Sequence, residues 1–336
     1  MKKIIYMFGT FVLGTALLLG CGAQTTPIEE GADKVSVVCT TFPQYDWVLN
    51  LLGDAAEAFE VSLLVKNSSD IHNYQPSAQD MIAMKEADLF LYVGGESDSW
   101  VEDLMKADAT LYDKGVSLVA ALGDEALVEE IVEGMEHNHD HGDGSDHAPG
   151  KEHVYDSETL DEHVWLSLEN AEILCQYICG RLQELAPRYT EVIAANTAEY
   201  VKALHELGAE YQNVVDESAH NALIFGDRFP FRYLTEDYEL EYYAAFAGCN
   251  AEVEAGFDTI IGLADKVDEL QVPCVLVIDG SDKSLAEAIL QAAGNGDKEI
   301  LTLDSMQSVS WEDILQGANY LDIMKANLEV LRKALG

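Results

Sequence analysis

PRYTEVIAANTAEYVKALHELGAEYQNVVDES, residues 187–218, decides how this chain is organised. Ile193, Tyr200, Leu204, Leu207, Tyr211 and Val214 recur at steps of seven, four, three, four and three, the apolar stripe of one continuous helix. Pro187 suits the first turn of such a helix, where its missing N–H costs nothing. Some thirty residues at 1.5 Å rise make a rod of roughly 45 Å. Gly208 weakens it by about 1 kcal/mol. A rod in this place, where a flexible hinge could have stood, restricts the closure of whatever lies on its two sides.

What lies on the two sides is alike. KVSVVCTT (34–41), VSLLV (61–65), ADLFLYVGG (87–95) and GVSLVAAL (115–122) precede the rod. NALIFGD (221–227), LEYYAAF (240–246), CVLVIDGS (274–281) and EILTLDS (299–305) follow it. Nearly continuous apolar strands separated by helix-length segments indicate parallel sheets covered on both faces. The expected fold is therefore α/β, with two lobes. Each lobe carries a four-stranded, mainly parallel sheet flanked by helices, and one long rigid helix joins them. The expected divisions are an N-terminal lobe over 34–186, the linking helix over 187–218 and a C-terminal lobe over 219–336. DEALVEEIVEGM (124–135) reads as the last helix of the first lobe.

The N-terminus reads as an export signal. Lys2 and Lys3 precede an apolar run from Ile4 to Leu19, and Leu18-Leu19-Gly20-Cys21 forms a lipobox. Residues 1–20 are the signal peptide, and Cys21 the residue that would be lipidated. Residues 21–33 form a polar tether holding the folded part off the membrane. The chain carries 61 acidic against 19 basic residues, a net charge of -42, which repels nucleic acid and anionic membrane surfaces. Beyond Cys21 come Cys39, Cys175, Cys179, Cys249 and Cys274, mostly among apolar neighbours, and they read as small buried hydrophobes. A Cys249–Cys274 bridge stays open.

One tract, HNHDHGDGSDHAPGKEH (137–153), has no apolar periodicity and reads as a loop. It holds His137, His139, His141, His147 and His153, five of the nine histidines in the chain. The remaining polar candidates stand at strand ends, where ligands bind in α/β sheets. His72 follows the second strand and His163 precedes a helix in DEHVWLSLENA. Asp227 follows the fifth strand and Asp304 ends the last. Two imidazoles and carboxylates converging in a cleft suit a borderline divalent cation. Asp161 reads equally well as a turn cap, Asp304 as a helix cap, and Glu162 as an accidental neighbour of His163.

These motifs, in this order, resemble the zinc/manganese-specific substrate-binding lipoproteins of ABC transporters. The resemblance rests on the lipobox, IHNYQPSAQD (71–80), ADLFLYVGG, the histidine-rich insertion, DEHVWLSLENA and LDIMKANLEVL (321–331). It implies a metal site with ligands His72, His163 and Asp304. The family's third ligand, His or Glu, falls on Gly226, which has no side chain. Asp227 beside it is the first replacement, and Glu252 and Glu254 are further ones. The implied protein is a monomeric, lipid-anchored, extracytoplasmic binding protein. It would deliver Zn²⁺, with Mn²⁺ or iron as the alternative, to an ABC permease. An adhesin retaining the metal site is a second reading. No H-E-x-x-H, G-x-S-x-G or P-loop is present, so the chain does not read as an enzyme.

Overall fold

The computed structural model describes residues 34–66, 71–130, 132, 135, 159–248, 255–294 and 298–336. The lipobox, the tether, the tract 137–153, Cys249, Glu252 and Glu254 lie outside the described residues.

The first half alternates strands and helices in the order β1 (Val35–Cys39), α1 (Phe42–Leu52), β2 (Phe59–Leu63), α2 (Ala78–Glu86), β3 (Leu89–Tyr92), α3 (Ser99–Ala107), β4 (Gly115–Ser117) and α4 (Leu118–Leu122). After α5 (Leu168–Leu185) comes α6 (Thr190–Glu217). The second half runs β5 (Ala222–Phe229), α7 (Arg232–Asp237), β6 (Glu241–Ala247), α8 (Phe257–Leu270), β7 (Cys274–Ile278), α9 (Ser284–Ala292) and β8 (Glu299–Leu303). It closes with α10 (Trp311–Leu315) and α11 (Tyr320–Leu335). The first sheet has the order β2-β1-β3-β4 and the second β6-β5-β7-β8, every pairing parallel. Both orders reverse beside the first strand of the half, β1 or β5. That reversal opens a crevice beyond the carboxyl ends, where ligands bind in such sheets.

The expected rod is α6. Its buried residues are Ile193, Thr197, Tyr200, Leu204, Leu207, Tyr211 and Val214, so Thr197 fills the step of seven in the stripe. The first half of α6 is fastened to α1: Asn196 donates to the Leu51 and Leu52 carbonyls, and the Tyr200 hydroxyl donates to Asp46. Its second half is fastened to α11, where the Tyr211 hydroxyl donates to the Met324 carbonyl. One apolar cluster runs through the helix from Val37 and Trp47 on one side to Phe225 and Leu331 on the other. Hinge motion about α6 would have to open that core.

Two expectations are corrected. The stretch 115–122 is strand only as far as Ser117, whose hydroxyl accepts from Ala120 N–H and starts α4. The stretch 124–135 is not an α-helix in its described part, where only Asp124 and Glu125 are helical, in the 3₁₀ turn Gly123–Glu125. Val128 bridges Leu160 antiparallel, with Glu129 N–H donating to Thr159 O and Asp161 N–H donating to Leu127 O. These backbone groups pair with the far side of the insertion, which leaves them unavailable for i→i−4 bonding. Cys39, Cys175, Cys179 and Cys274 are buried free thiols, and burial pushes the thiols of Cys39 and Cys175 well up.

Candidate metal site

His72 sits on a single 3₁₀ turn, Ile71–Asn73, in the connection after β2. His163 precedes another such turn, Val164–Leu166, at the foot of α5. The two are 91 positions apart, and the fold sets their Nε2 atoms 3.4 Å apart, with ring centroids at 5.4 Å. His163 is fully buried and held from three directions. Asp161 Oδ1 accepts from both the backbone N–H and Nδ1 of His163, at 2.8 and 2.9 Å. The adjoining Trp165 donates its indole N–H to Ser305 O at 2.9 Å, and the Tyr320 hydroxyl donates to Trp165 O. The Tyr233 hydroxyl donates to Asp161 O. Trp165, Tyr320 and Tyr233 thus tie the His163 turn to the second half of the molecule.

His72 Nδ1 lies 2.6 Å from Ser97 Oγ and 3.0 Å from Glu162 Oε1. Ser97 donates its hydroxyl to Glu162 Oε1 and its backbone N–H to Glu162 Oε2. Both imidazoles therefore spend Nδ1 on oxygen and turn Nε2 toward each other. His72, Glu162 and His163 each offer a donor atom within 4.8 Å of the others. Burial pushes the Glu162 carboxyl up, but the His72 hydrogen bond and the two imidazoles outweigh it and hold it at about 2. Burial pushes His163 down, and the Asp161 charge and hydrogen bond overcome this and raise it.

Asp227 and Asp304 are not in that group of donors. Asp227 Oδ1 accepts from Arg228 N–H, and Oδ2 accepts from Ile278 N–H on β7 at 3.4 Å. Asp304 accepts from Met306 N–H at 2.8 Å and is not a helix cap, since Ser310 caps α10. Burial and the neighbouring Asp279 push the Asp304 carboxyl up to about 6, so it is a charge short of a positive partner. Gly226 is closed to any side chain: a Cβ there would stand 2.7 Å from Ala286 Cα on α9. Gly248, just after β6, lies against His163. A Cβ there would stand 2.8 Å from His163 Cε1 and 3.0 Å from Phe229 O. No local pattern in the sequence singles out Ser97, and Asp161 and Glu162 read there as a turn cap and an accidental neighbour of His163. The only local signal was a pair of consecutive acids ahead of a histidine.

Two parallel sheets spanned by one long helix, with two facing imidazoles set between connections of the first half, define a class of two-lobed α/β protein with a metal-competent donor group. The chain belongs to the family described as zinc-uptake complex component A, periplasmic, whose model matches residues 37–334. It is 27% identical over 333 residues to the zinc-binding lipoprotein AdcA of Streptococcus pneumoniae, covering 99% of this chain and 61% of that one. The chain thus spans about three-fifths of the length of such relatives. It is 25% identical over 331 residues to the high-affinity zinc uptake system protein ZnuA of Bacillus subtilis, covering 97% of both. The solved Zn(II)-bound ZnuA-like domain of S. pneumoniae AdcA shares the fold. It matches with a TM-score of 0.67 at 24% identity, over 90% of this chain and 99% of that domain.

Proposed function

We propose that this chain is the solute-binding component of a metal-uptake system, taking up one zinc ion between Nε2 of His72 and Nε2 of His163 and handing it to an ABC permease. One distance carries the reading, the 3.4 Å between those two nitrogens. With Nδ1 of each ring committed to oxygen, the Nε2 lone pairs face each other and repel unless a cation lies between them. Two nitrogens each 2.0–2.1 Å from a tetrahedral zinc stand about 3.3–3.4 Å apart. At the same bond lengths, neighbouring ligands of an octahedral ion stand about 2.9 Å apart. The observed spacing therefore suits two ligands of a tetrahedral zinc. The relatives named for zinc support the same choice.

Asp304 is the proposed donor from the second half. Its neighbour Ser305 is bonded to Trp165, two residues beyond His163, and its carboxylate is destabilised where it stands. Asp227 is the weaker candidate, since both of its oxygens already accept from backbone N–H groups. Glu252 and Glu254 lie four and six positions past Gly248 in the sequence and remain candidates for completing the shell. Lipidation at Cys21 would tether the protein outside the cytoplasm, and the five histidines of 137–153 would gather zinc for handover.

Calorimetric titration with zinc tests the reading. The wild-type protein is expected to show one tight equivalent, and the double variant His72→Ala/His163→Ala none. A tight equivalent that survives in the double variant overturns it. Deleting 137–153 should lower the total zinc bound while one tight equivalent remains.

A further inference from the structure

Glu162 stands in the group of metal-competent donors, yet its contacts point to a different task. Its two oxygens are both in use, Oε1 by Ser97 Oγ and His72 Nδ1, and Oε2 by Ser97 N–H. The side of His72 it touches is Nδ1, and the two nitrogens of one imidazole point in diverging directions. A carboxylate on Nδ1 does not also reach an ion on Nε2.

The hydrogen-bond arithmetic around Ser97 then fixes the ring. A serine hydroxyl has one proton, and here it goes to Glu162. An ionised carboxylate only accepts. Neither neighbour can therefore donate to His72 Nδ1, so Nδ1 carries the proton, and in the neutral ring Nε2 keeps its lone pair. Asp161 imposes the same tautomer on His163. Two consecutive acids thus each hold a different one of the two imidazoles, although those imidazoles come from connections 91 positions apart.

Gly95, at the end of ADLFLYVGG, belongs to the same arrangement. A Cβ on it would overlap the Glu162 carboxylate and Cβ. Gly94 beside it has φ +93, in the left-handed region, and lets the chain turn sharply from β3 to Ser97. The space that Gly95 leaves is where Glu162 lies.

We propose that Glu162 is a positioning residue for zinc capture. With Ser97 it locks His72 in the Nδ1-protonated form with Nε2 presented to the cleft, and Gly95 is glycine to leave room for it. This rests on the zinc reading of the His72–His163 pair. Partners of this kind behind a metal-bound histidine are worth about 10–100-fold in affinity.

The test is zinc affinity of the full chain, measured by chelator competition, together with the zinc-edge X-ray absorption of each loaded variant. Glu162→Ala is expected to bind one zinc about 10–100-fold more weakly, with its histidine scattering unchanged. Glu162→Gln, which keeps an acceptor for Nδ1–H, should recover most of that loss. Gly95→Ala, which keeps Glu162 but displaces it, should reproduce the Glu162→Ala loss. Unchanged affinity in Glu162→Ala and Gly95→Ala overturns the proposal. So does the loss of a directly bound oxygen from the absorption spectrum of Glu162→Gln, which would make Glu162 a ligand. His72→Ala in the same series separates the two levels: if it still binds zinc as tightly as wild type, the zinc reading itself falls. If only the Glu162 and Gly95 variants match wild type, that reading stands and the positioning role alone is lost.

Discussion

The carboxyl ends of the two sheets are built from the same topology and used in opposite ways. At the first sheet, the connections after β2 and β3 and the turn before α5 bring two imidazoles face to face, each backed by its own carboxylate. At the second sheet the carboxylates serve their own neighbourhood. Asp279 accepts from the Ser305 backbone N–H and hydroxyl and from the Ser308 hydroxyl, Asp227 ties β5 to β7, and Asp304 closes a turn onto Met306. The first half supplies nitrogen donors already aimed. The second supplies negative charge and a wall, with Gly248 against His163 and Ser305 against Trp165. Because α6 and one continuous core join the halves, hinge motion between them would have to open that core.

That contrast breaks most severely at Trp165, which is fully buried and bonds across the seam to Ser305. Trp165→Ala should cost about 3–5 kcal/mol in denaturant unfolding, since it leaves a large cavity and an unpaired carbonyl. A loss below about 1 kcal/mol would mean that the halves are not joined through this residue.

Gly226 sharpens the contrast from the other side. Gly226→Ala pushes a methyl at the α9 backbone and should cost about 1–3 kcal/mol in the same measurement. Gly226→His, although it restores the residue type expected there from the family pattern, should not tighten zinc binding. A gain of tenfold or more would show that this strand end does face the ion.

Asp46, on α1, joins both halves of the molecule. It accepts from the Tyr200 hydroxyl on α6 and from Tyr320 N–H at the start of α11, and burial pushes its carboxyl up to about 6. A folded-state value above the ordinary carboxyl range means that the native state holds this proton more tightly than the unfolded chain does. The contribution is fully present below about pH 4 and is lost as pH rises through about 6. Asp46→Asn keeps the acceptor and should flatten that decline, on the order of 1–2 kcal/mol, in metal-free unfolding between pH 4 and 7. The smallest effect falls on Gly208, whose added methyl would meet only ordinary contacts at 3.7 Å and beyond. Gly208→Ala should stabilise the rod by about 0.5–1 kcal/mol, read as a higher unfolding midpoint.

Much of this was legible beforehand because it depends on local patterning. All eight strands fall within or against the expected apolar runs, and the six residues of the α6 stripe are buried. His72 and His163 stand out through IHNYQPSAQD and DEHVWLSLENA taken together, since a lone histidine in a loop is most often simply exposed. What escaped the sequence depends on long-range pairing. Ser97 and Glu162 are 65 positions apart, and nothing local ties a serine after a glycine pair to an acid beside a distant histidine. The stem of the insertion escaped for the same reason: Leu127, Val128 and Glu129 carry helix-compatible neighbours, but their backbone groups find partners at Thr159, Leu160 and Asp161. The closed direction at Gly226 depends on where α9 packs, which no strand pattern reveals.

The most direct test is anomalous scattering at the zinc edge from crystals of the zinc-loaded chain. The expected result is one dominant peak about 2.0–2.1 Å from both His72 Nε2 and His163 Nε2, with Glu162 still on His72 Nδ1. A dominant peak held only by the histidines of 137–153, with the His72–His163 pair left without an ion, would contradict it.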